Sequence, residues 1–375
     1  MKSGGKPLLG LALAAIAFQA PVAAPAVPVA APRASTATVQ SAPVPVPAAP
    51  LKVPGRFLTP HYAAILVDPA TREVLYANAP DDLRHPASIT KIMTLFLAFD
   101  AIEAGKLSLT DRVPISRFAA SQRPSKLGLA PGKSLSVDQA IRVIAVKSAN
   151  DIAVALAEKV GGSEKAFAGM MNAKARSLGM RNTNFVNATG LPNPDHVTTA
   201  RDLSLLAEAL LKNHAQRYAY FSQQKYQYES QLIANHNKML GRFPGMDGIK
   251  TGYTADAGFT LAASAMRGGR RLIAVVLGEP SSAARDRDVG ALLDAGFDVL
   301  KSRSIGTPTT VASLLGPATH PAVRISDPQV EEGSADSPRK AVVRHKAKAK
   351  GKATAAKSGK KTSARTKAKA KARHR

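Results

Sequence analysis

The chain of 375 residues contains no cysteine and no tryptophan. Without cysteine there can be no disulfide, no thiolate nucleophile, no Cys-ligated zinc and no lipidated N-terminal cysteine. Acidic residues are scarce, 26 against 52 Lys and Arg, for a formal charge of +26. Sixteen of those cations, and no acid, lie between Arg339 and Arg375, which leaves +10 for the rest. Long apolar runs are also missing. The longest, "LLGLALAAIAF", is followed by Pro21, Pro25 and Pro28 and falls short of the roughly 20 residues that span a bilayer. No later stretch is long and apolar enough to do so. There is no His-Glu-x-x-His zinc motif, and "GKSLS" (132–136) lacks the upstream glycine of a phosphate loop. The residues therefore call for no metal and no cofactor.

What is present sorts the chain into segments. Lys2 and Lys6 ahead of the apolar run, with the small-x-small site "APA" at 24–26, read as an export signal over 1–26. Residues 27–56 are a Pro/Ala-rich linker of extended character. A folded domain is expected over 57–302, a second linker over 303–338, and a disordered basic tail over 339–375. Within the domain, "DPAT" predicts a hairpin of strands at 61–67 and 72–77. A helix should run from 88 to 104 and stop at Gly105. Two helical patterns follow. The first turns Ile141, Ile144 and Ala145 inward, and the second runs from Asp151 to Val160 and ends at Gly161-Gly162. Phe167, Met170 and Met171 share a helical spacing that reads as core rather than cofactor contact. Thr199 is an N-cap. Gly268-Gly269 marks a second hairpin, whose apolar strand Leu272 to Leu277 should be central, and a last helix begins near "SAARDRD". Strands open and close the domain while helices fill its middle, so a mixed α/β fold is expected whose sheet joins both ends of the chain.

Three short motifs carry the chemistry. Ser88 and Lys91 stand one helical turn apart, which puts them on one face. Ser-x-x-Lys alone is weak evidence, because the chain repeats it at Ser3, Ser222, Ser337 and Ser358. It gains specificity from Ser148-Ala149-Asn150 and then Lys250-Thr251-Gly252, in that order. A serine hydroxyl needs a base within reach. Lys91 can be that base if burial or a second cation such as Lys250 lowers its pKa.

This motif set, with "LGLAPGKSLSVDQAIRVIAVKSANDIAVALAE", "NTNFVNATGLPNPDHVTTARDLSLLAEAL" and "HNKMLGRFPGMDGIKTGYTADAGFTLAASA", resembles the low-molecular-mass penicillin-binding proteins, the serine D-alanyl-D-alanine carboxypeptidases of peptidase family S11. The resemblance covers roughly 57–300. It implies a β-lactamase/DD-peptidase-like mixed α/β fold, a central five-stranded antiparallel sheet flanked by helices on both faces. It implies that Ser88 attacks the penultimate carbonyl of a peptidoglycan pentapeptide stem and that the terminal D-alanine leaves. β-Lactams would acylate the same serine. By the same resemblance Ser148 relays a proton and Asn150 holds the substrate amide. Lys250 supports the charge network, Thr251 binds the terminal carboxylate, and the N–H groups of Ser88 and Tyr253 form the oxyanion hole. An arginine on that carboxylate falls at Arg285 by register from Lys250, with Arg287 close by. Ala149 stands where the family more often has glycine, and after 300 neither a run of alternating strands nor an amphipathic terminal helix is evident.

Three other readings stay open. One is a D,D-endopeptidase cutting cross-links with the same residues. Another is a β-lactamase, although no glutamate between the second and third motifs stands in a Glu-x-x-x-Asn context. The third is a non-catalytic envelope-binding protein. A Ser-His-Asp triad finds no nucleophile-elbow context around His61, His85, His196 or His236, and His236 reads as structural. The tail resembles a nucleic-acid-binding segment, but an exported chain points instead to an anionic envelope surface or polymer as its partner, held electrostatically.

Overall fold

The computed structural model describes residues 62–316. The export signal, the first linker, the basic tail and the second linker beyond Gly316 lie outside the described residues. Strands β1 (Ala63–Asp68) and β2 (Glu73–Asn78) form the first hairpin. Helix α1 (Lys91–Glu103) follows a single 3-10 turn, Ala87–Thr90. A small ribbon of β3 (Arg112–Pro114) and β4 (Ser134–Ser136) brackets α2 (Arg117–Ala120). Helices α3 (Val137–Lys147), α4 (Asn150–Gly161), α5 (Glu164–Ser177) and α6 (Ala200–Asn213) then build one layer. A second ribbon, β5 (Lys225–Tyr228) and β6 (Gln231–Ala234), precedes β7 (Met246–Thr254), β8 (Gly258–Arg267) and β9 (Arg270–Glu279). Helices α7 (Ser282–Ser304) and α8 (Val311–Leu315) close the described chain.

The main sheet is antiparallel, in the order β2-β1-β9-β8-β7. It therefore joins the two ends of the domain, and β9 is its middle strand, as the apolar run Leu272–Leu277 predicts. Both faces of the inner strands are covered. Ile65, Ile273, Val275 and Leu277 pack into the core shared with α1 and α3 to α6. Leu66, Leu272, Ala274 and Val276 pack into a second core under α7. Full burial of each such side chain contributes roughly 1.5–3 kcal/mol. Gly296 lets α7 lie close, since a Cβ there would stand 2.6 Å from Leu66 and 2.7 Å from Leu272.

Most sequence-derived elements stand where expected, and the exceptions have local reasons. Helix α4 ends at Gly162 in the left-handed region, and Thr199 accepts from Asp202 N as an N-cap. Met170 is exposed at 39 %, whereas Phe167 and Met171 are buried; α5 buries a narrower stripe than the apolar spacing suggests. The helix expected from 88 starts as a 3-10 turn, with Ala87 at φ 47 at its head, and becomes α-helical at Lys91. Residues of the third motif form a full strand, β7, at the sheet edge. The packed body continues past Ser302, where a linker was expected, since α7 reaches Ser304 and Val311 is buried.

Helix α1 is the centre of the helical layer. Every residue from Lys91 to Phe99 is buried, the mark of a helix with no solvent face. Its C-terminal end is clamped by His214, whose Nδ1 lies 2.8 Å from Glu103 Oε1 and whose Nε2 lies 3.1 Å from Asp100 Oδ1. Burial alone would lower the pKa of His214, but hydrogen bonds to Asp100 and Glu103 raise it above its ordinary value. A raised imidazole pKa stabilises the fold fully below about pH 6.5 and loses that contribution as pH rises through the folded value. His214→Gln should therefore lower the melting temperature more at pH 6 than at pH 9, at about 2–4 °C per kcal/mol. Calorimetric scans of both proteins across that range check it.

Candidate active site

The 3-10 turn delivers Ser88, partly exposed, directly ahead of α1. Lys91, the first residue of α1, is fully buried beneath it. Lys91 Nζ lies 2.9 Å from Ser88 Oγ, 2.7 Å from Asn150 Oδ1 and 2.7 Å from the Thr189 carbonyl. Asn150 is fixed in that orientation because its Nδ2 donates to the carbonyls of Arg123 and Pro124, at 2.9 and 3.2 Å. Burial, and then the positive charge of Lys250, push the Lys91 pKa well below its ordinary value; Asp151 opposes this.

The three oxygens around Nζ suit either protonation state. As an ammonium, Lys91 can donate to all three. As a neutral amine it has two N–H donors and one acceptor site; Asn150 Oδ1 and the Thr189 carbonyl can only accept and would take both donors. The lone pair would then face the Ser88 hydroxyl, the one neighbour with a proton to give.

Thr189 owes its place to a tight loop. Asn187 Oδ1 accepts from Thr189 N, Thr189 Oγ1 and Gly190 N. Gly190 has φ 77, and a Cβ there would meet the Ala87 carbonyl oxygen at 1.8 Å. On the other side of Lys91, His196 Nδ1 accepts from Val186 N at 3.2 Å, and Nε2 lies 2.9 Å from Thr90 Oγ1. Burial, then the charges of His85 and Lys91, hold the His196 pKa down at about 3, so no imidazolium competes there.

The second motif turns the corner between α3 and α4. Ser148 caps α3 in the left-handed region at φ 61, and its Oγ is buried with no hydrogen-bond partner. Asp151 anchors the facing loop, its carboxylate accepting from Leu127 N and Gly128 N at 3.0 and 2.8 Å. The third motif approaches from β7. A Cβ added to Gly252 would stand 2.8 Å from Ser88 N and 2.6 Å from Thr260 Oγ1, so only glycine lets the strand pass the serine turn. Lys250 is buried, donates to the Thr251 carbonyl at 3.0 Å, and is lowered to about 7 by burial and then by Arg285. Tyr253 is 44 % exposed, its ring 4.3 Å from that of Phe259.

Of the two arginines weighed from the sequence, Arg285 is the buried one and the one whose charge reaches Lys250. Asp286 Oδ1 accepts from both its Nε and Nη2, at 2.9 and 2.6 Å. Arg287 is exposed beside Asp288. The structure thus gathers Ser88, Lys91, Asn150, Lys250 and Gly252 around one point. Sequence reasoning missed Thr189, Asn187 and Gly190. Thr189 acts through a backbone carbonyl, which leaves no residue signature; the "NATG" turn, with an asparagine ahead of a glycine, is the signal that could have marked the loop.

The structure thus sets a serine–lysine pair at the opening of a buried helix, beside the edge strand of a five-stranded antiparallel sheet. The family model for D-alanyl-D-alanine carboxypeptidase, peptidase S11, matches residues 60–281, and the chain belongs to that family. It is 38 % identical over 244 residues to D-alanyl-D-alanine carboxypeptidase DacF of Bacillus subtilis, covering 63 % of this chain and 61 % of that one. The chain thus spans about three fifths of the length of the curated relatives it matches. Penicillin-binding protein 5 of Haemophilus influenzae superposes with a TM-score of 0.61 at 32 % identity, covering 66 % of this chain and 72 % of that one. Penicillin-binding protein D2 of Listeria monocytogenes, solved in its cefotaxime-bound form, gives 0.59 at 31 % identity, covering 64 % and 98 %.

Proposed function

We propose that this protein is a serine D-alanyl-D-alanine carboxypeptidase that removes the terminal D-alanine from peptidoglycan pentapeptide stems. The observation that carries the reading is the buried Lys91 Nζ, 2.9 Å from Ser88 Oγ and 2.7 Å from both Asn150 Oδ1 and the Thr189 carbonyl. As Ser88 Oγ bonds to the penultimate carbonyl carbon, its proton passes to Lys91 Nζ. Charge on the carbonyl oxygen is met by the N–H groups of Ser88 and Tyr253. Ser148 Oγ passes its proton to the amine as the C–N bond breaks and takes in turn the proton held by Lys91, so D-alanine leaves and Lys91 is neutral again. Lys91 then takes a proton from water as it attacks the acyl-enzyme, and the serine oxygen departs with a proton restored. Asn150 holds the substrate amide as well as Lys91, while Thr251, Lys250 and Arg285 receive the terminal carboxylate. β-Lactams enter the same first step and stop at the ester.

The sequence adds a location. The export-type segment read at 1–26 supports a location in the periplasm or cell envelope. The 339–375 tail tethers the enzyme to an anionic surface in a salt-sensitive manner.

The test is direct. Purified protein incubated with a labelled penicillin should carry the label on the peptide containing Ser88, as mass spectrometry reads it. Ser88→Ala should carry none. The wild type should release free D-alanine from a pentapeptide faster than it cuts cross-linked dimers. Label on another residue, or no D-alanine, would overturn the reading.

A further inference from the structure

Two histidines meet the serine turn and take no part in the acyl-transfer steps above. His85 opens the segment that leads into it, and His196 reaches it from the loop ahead of α6. His85 Nδ1 lies 2.9 Å from the His196 carbonyl oxygen. His196 Nε2 lies 2.9 Å from Thr90 Oγ1. Ser88 therefore stands between two contacts that one residue makes, one before it in the chain and one after.

The partners fix the direction of each bond. A carbonyl only accepts, so His85 donates through Nδ1–H. Val186 N only donates, so His196 Nδ1 accepts from it, at 3.2 Å. Burial is the main reason the His196 ring stays neutral. Its single N–H is then on Nε2, and it donates to Thr90 Oγ1. One tautomer satisfies both ring nitrogens.

The turn itself has weak local support. Neither Pro86 ahead of the 3-10 turn nor Thr90 ahead of α1 makes a side-chain capping bond. Ala87, at φ 47, is in the left-handed region, which a residue with a Cβ keeps only where its surroundings enforce it. The loop that carries His196 is, by contrast, well anchored. His196 N donates to the Asn193 carbonyl at 3.0 Å. Asn184 and Val197 exchange two backbone bonds at 2.8 and 3.1 Å, and Arg84 and Thr198 exchange two more at 2.8 and 2.9 Å. Thr90 and His196 are both buried, so water does not take the place of either partner. Thr90 Oγ1 is also confined from the side of Gly190, where a Cβ would stand 2.8 Å from it.

We propose that His196 is a positioning residue for the nucleophile: its Nε2–H, by holding Thr90, keeps the turn that carries Ser88 and Lys91 in register with Asn150 and with Gly252 on β7. It touches no reacting atom and acts only through Thr90. This rests on the carboxypeptidase reading and goes beyond it, since it gives a role to a histidine that is neither base nor ligand.

Two replacements separate the two ring contacts. His196→Asn keeps an acceptor for Val186 N and loses the donor to Thr90. His196→Gln keeps the donor and loses the acceptor. In the full chain, His196→Asn should lower kcat on an acylated D-alanyl-D-alanine peptide about tenfold, with KM within about twofold, because the fault is in alignment rather than binding. Penicillin acylation of Ser88 should slow by the same factor. His196→Gln should restore kcat to within about threefold of wild type. Thr90→Val, which removes only the hydroxyl, should be as slow as His196→Asn, and the two combined should be no slower than either alone. In nitrogen-15 spectra the ring signals that vanish in His196→Asn should be those of a neutral Nε2–H tautomer. Wild-type kcat in Thr90→Val, a His196→Gln as slow as His196→Asn, losses that multiply in the double variant, or an Nδ1–H tautomer would each overturn the proposal. Thr90→Val is nearly isosteric and decides the matter alone should His196→Asn fail to fold. Labelled penicillin keeps the two levels apart. Label on Ser88 at the wild-type rate in these variants refutes only the role of His196, whereas absence of label in the wild type refutes the carboxypeptidase reading beneath it.

Discussion

Replacing Lys91 by methionine should slow penicillin acylation of Ser88 by about 10²–10⁴-fold, the usual contribution of a positioned base. The side chains are similar in length, so the serine stays in place and only the lone pair is lost. Lys91→Arg should be equally slow, since guanidinium has no lone pair to offer. The same substitution has a second, thermodynamic readout. The Lys91 pKa is lowered on folding, so between its folded value and about 10.4 the unfolded chain binds more protons, and this residue makes stability rise with pH. Lys91→Met removes that rise. The stability of wild type relative to the variant should therefore grow by up to about 1.4 kcal/mol per pH unit across that window. Methionine also strands Asn150 Oδ1 and the Thr189 carbonyl, at a cost of roughly 1–3 kcal/mol for each unsatisfied group. The variant should thus be less stable by an increasing margin as pH rises. Denaturant titrations at pH 7 and pH 9, together with acylation rates, measure both effects. A margin that shrinks with pH would show that the native amine is charged.

Gly190→Ala should damage stability and acylation together. A left-handed φ costs an alanine about 1–2 kcal/mol, and that part can be read from Gly105→Ala, where φ is 66 and a Cβ meets nothing within 4 Å. Gly190 carries an additional term, because its Cβ would overlap the Ala87 carbonyl. Relief requires moving either Ala87, which carries Ser88, or the loop, which carries the Thr189 acceptor of Lys91. Gly190→Ala is therefore expected to lose about 3 kcal/mol or more and at least about tenfold in acylation rate. Gly105→Ala should lose about 1–2 kcal/mol and keep the wild-type rate. Equal losses in the two variants would show that backbone strain alone is responsible.

The contact between Ser88 and Lys91 was legible because the two side chains stand one turn apart, and helical geometry converts that spacing into contact. The strand Leu272–Leu277 was legible because a strand covered on both faces is apolar throughout. Strand β7 was harder to read. "MDGIKTGYT" has two glycines and no alternation, since its residues are selected by the serine turn they pass rather than by a core. The groups that saturate Lys91 come from 59 and 98 positions further along the chain, and one of them is a backbone carbonyl.

Strand β9 also bears on when the molecule can form. Ala63 to Val67 pair with Leu277 to Ile273, so the first strand finds its central neighbour only after some 200 intervening residues have been made. Contacts this distant in sequence make for slow acquisition of structure. Until the ninth strand emerges, the N-terminal hairpin has no inner strand to pair with, and the sheet cannot be completed. The order of the strands thus delays completion of the sheet until most of the domain has been synthesised.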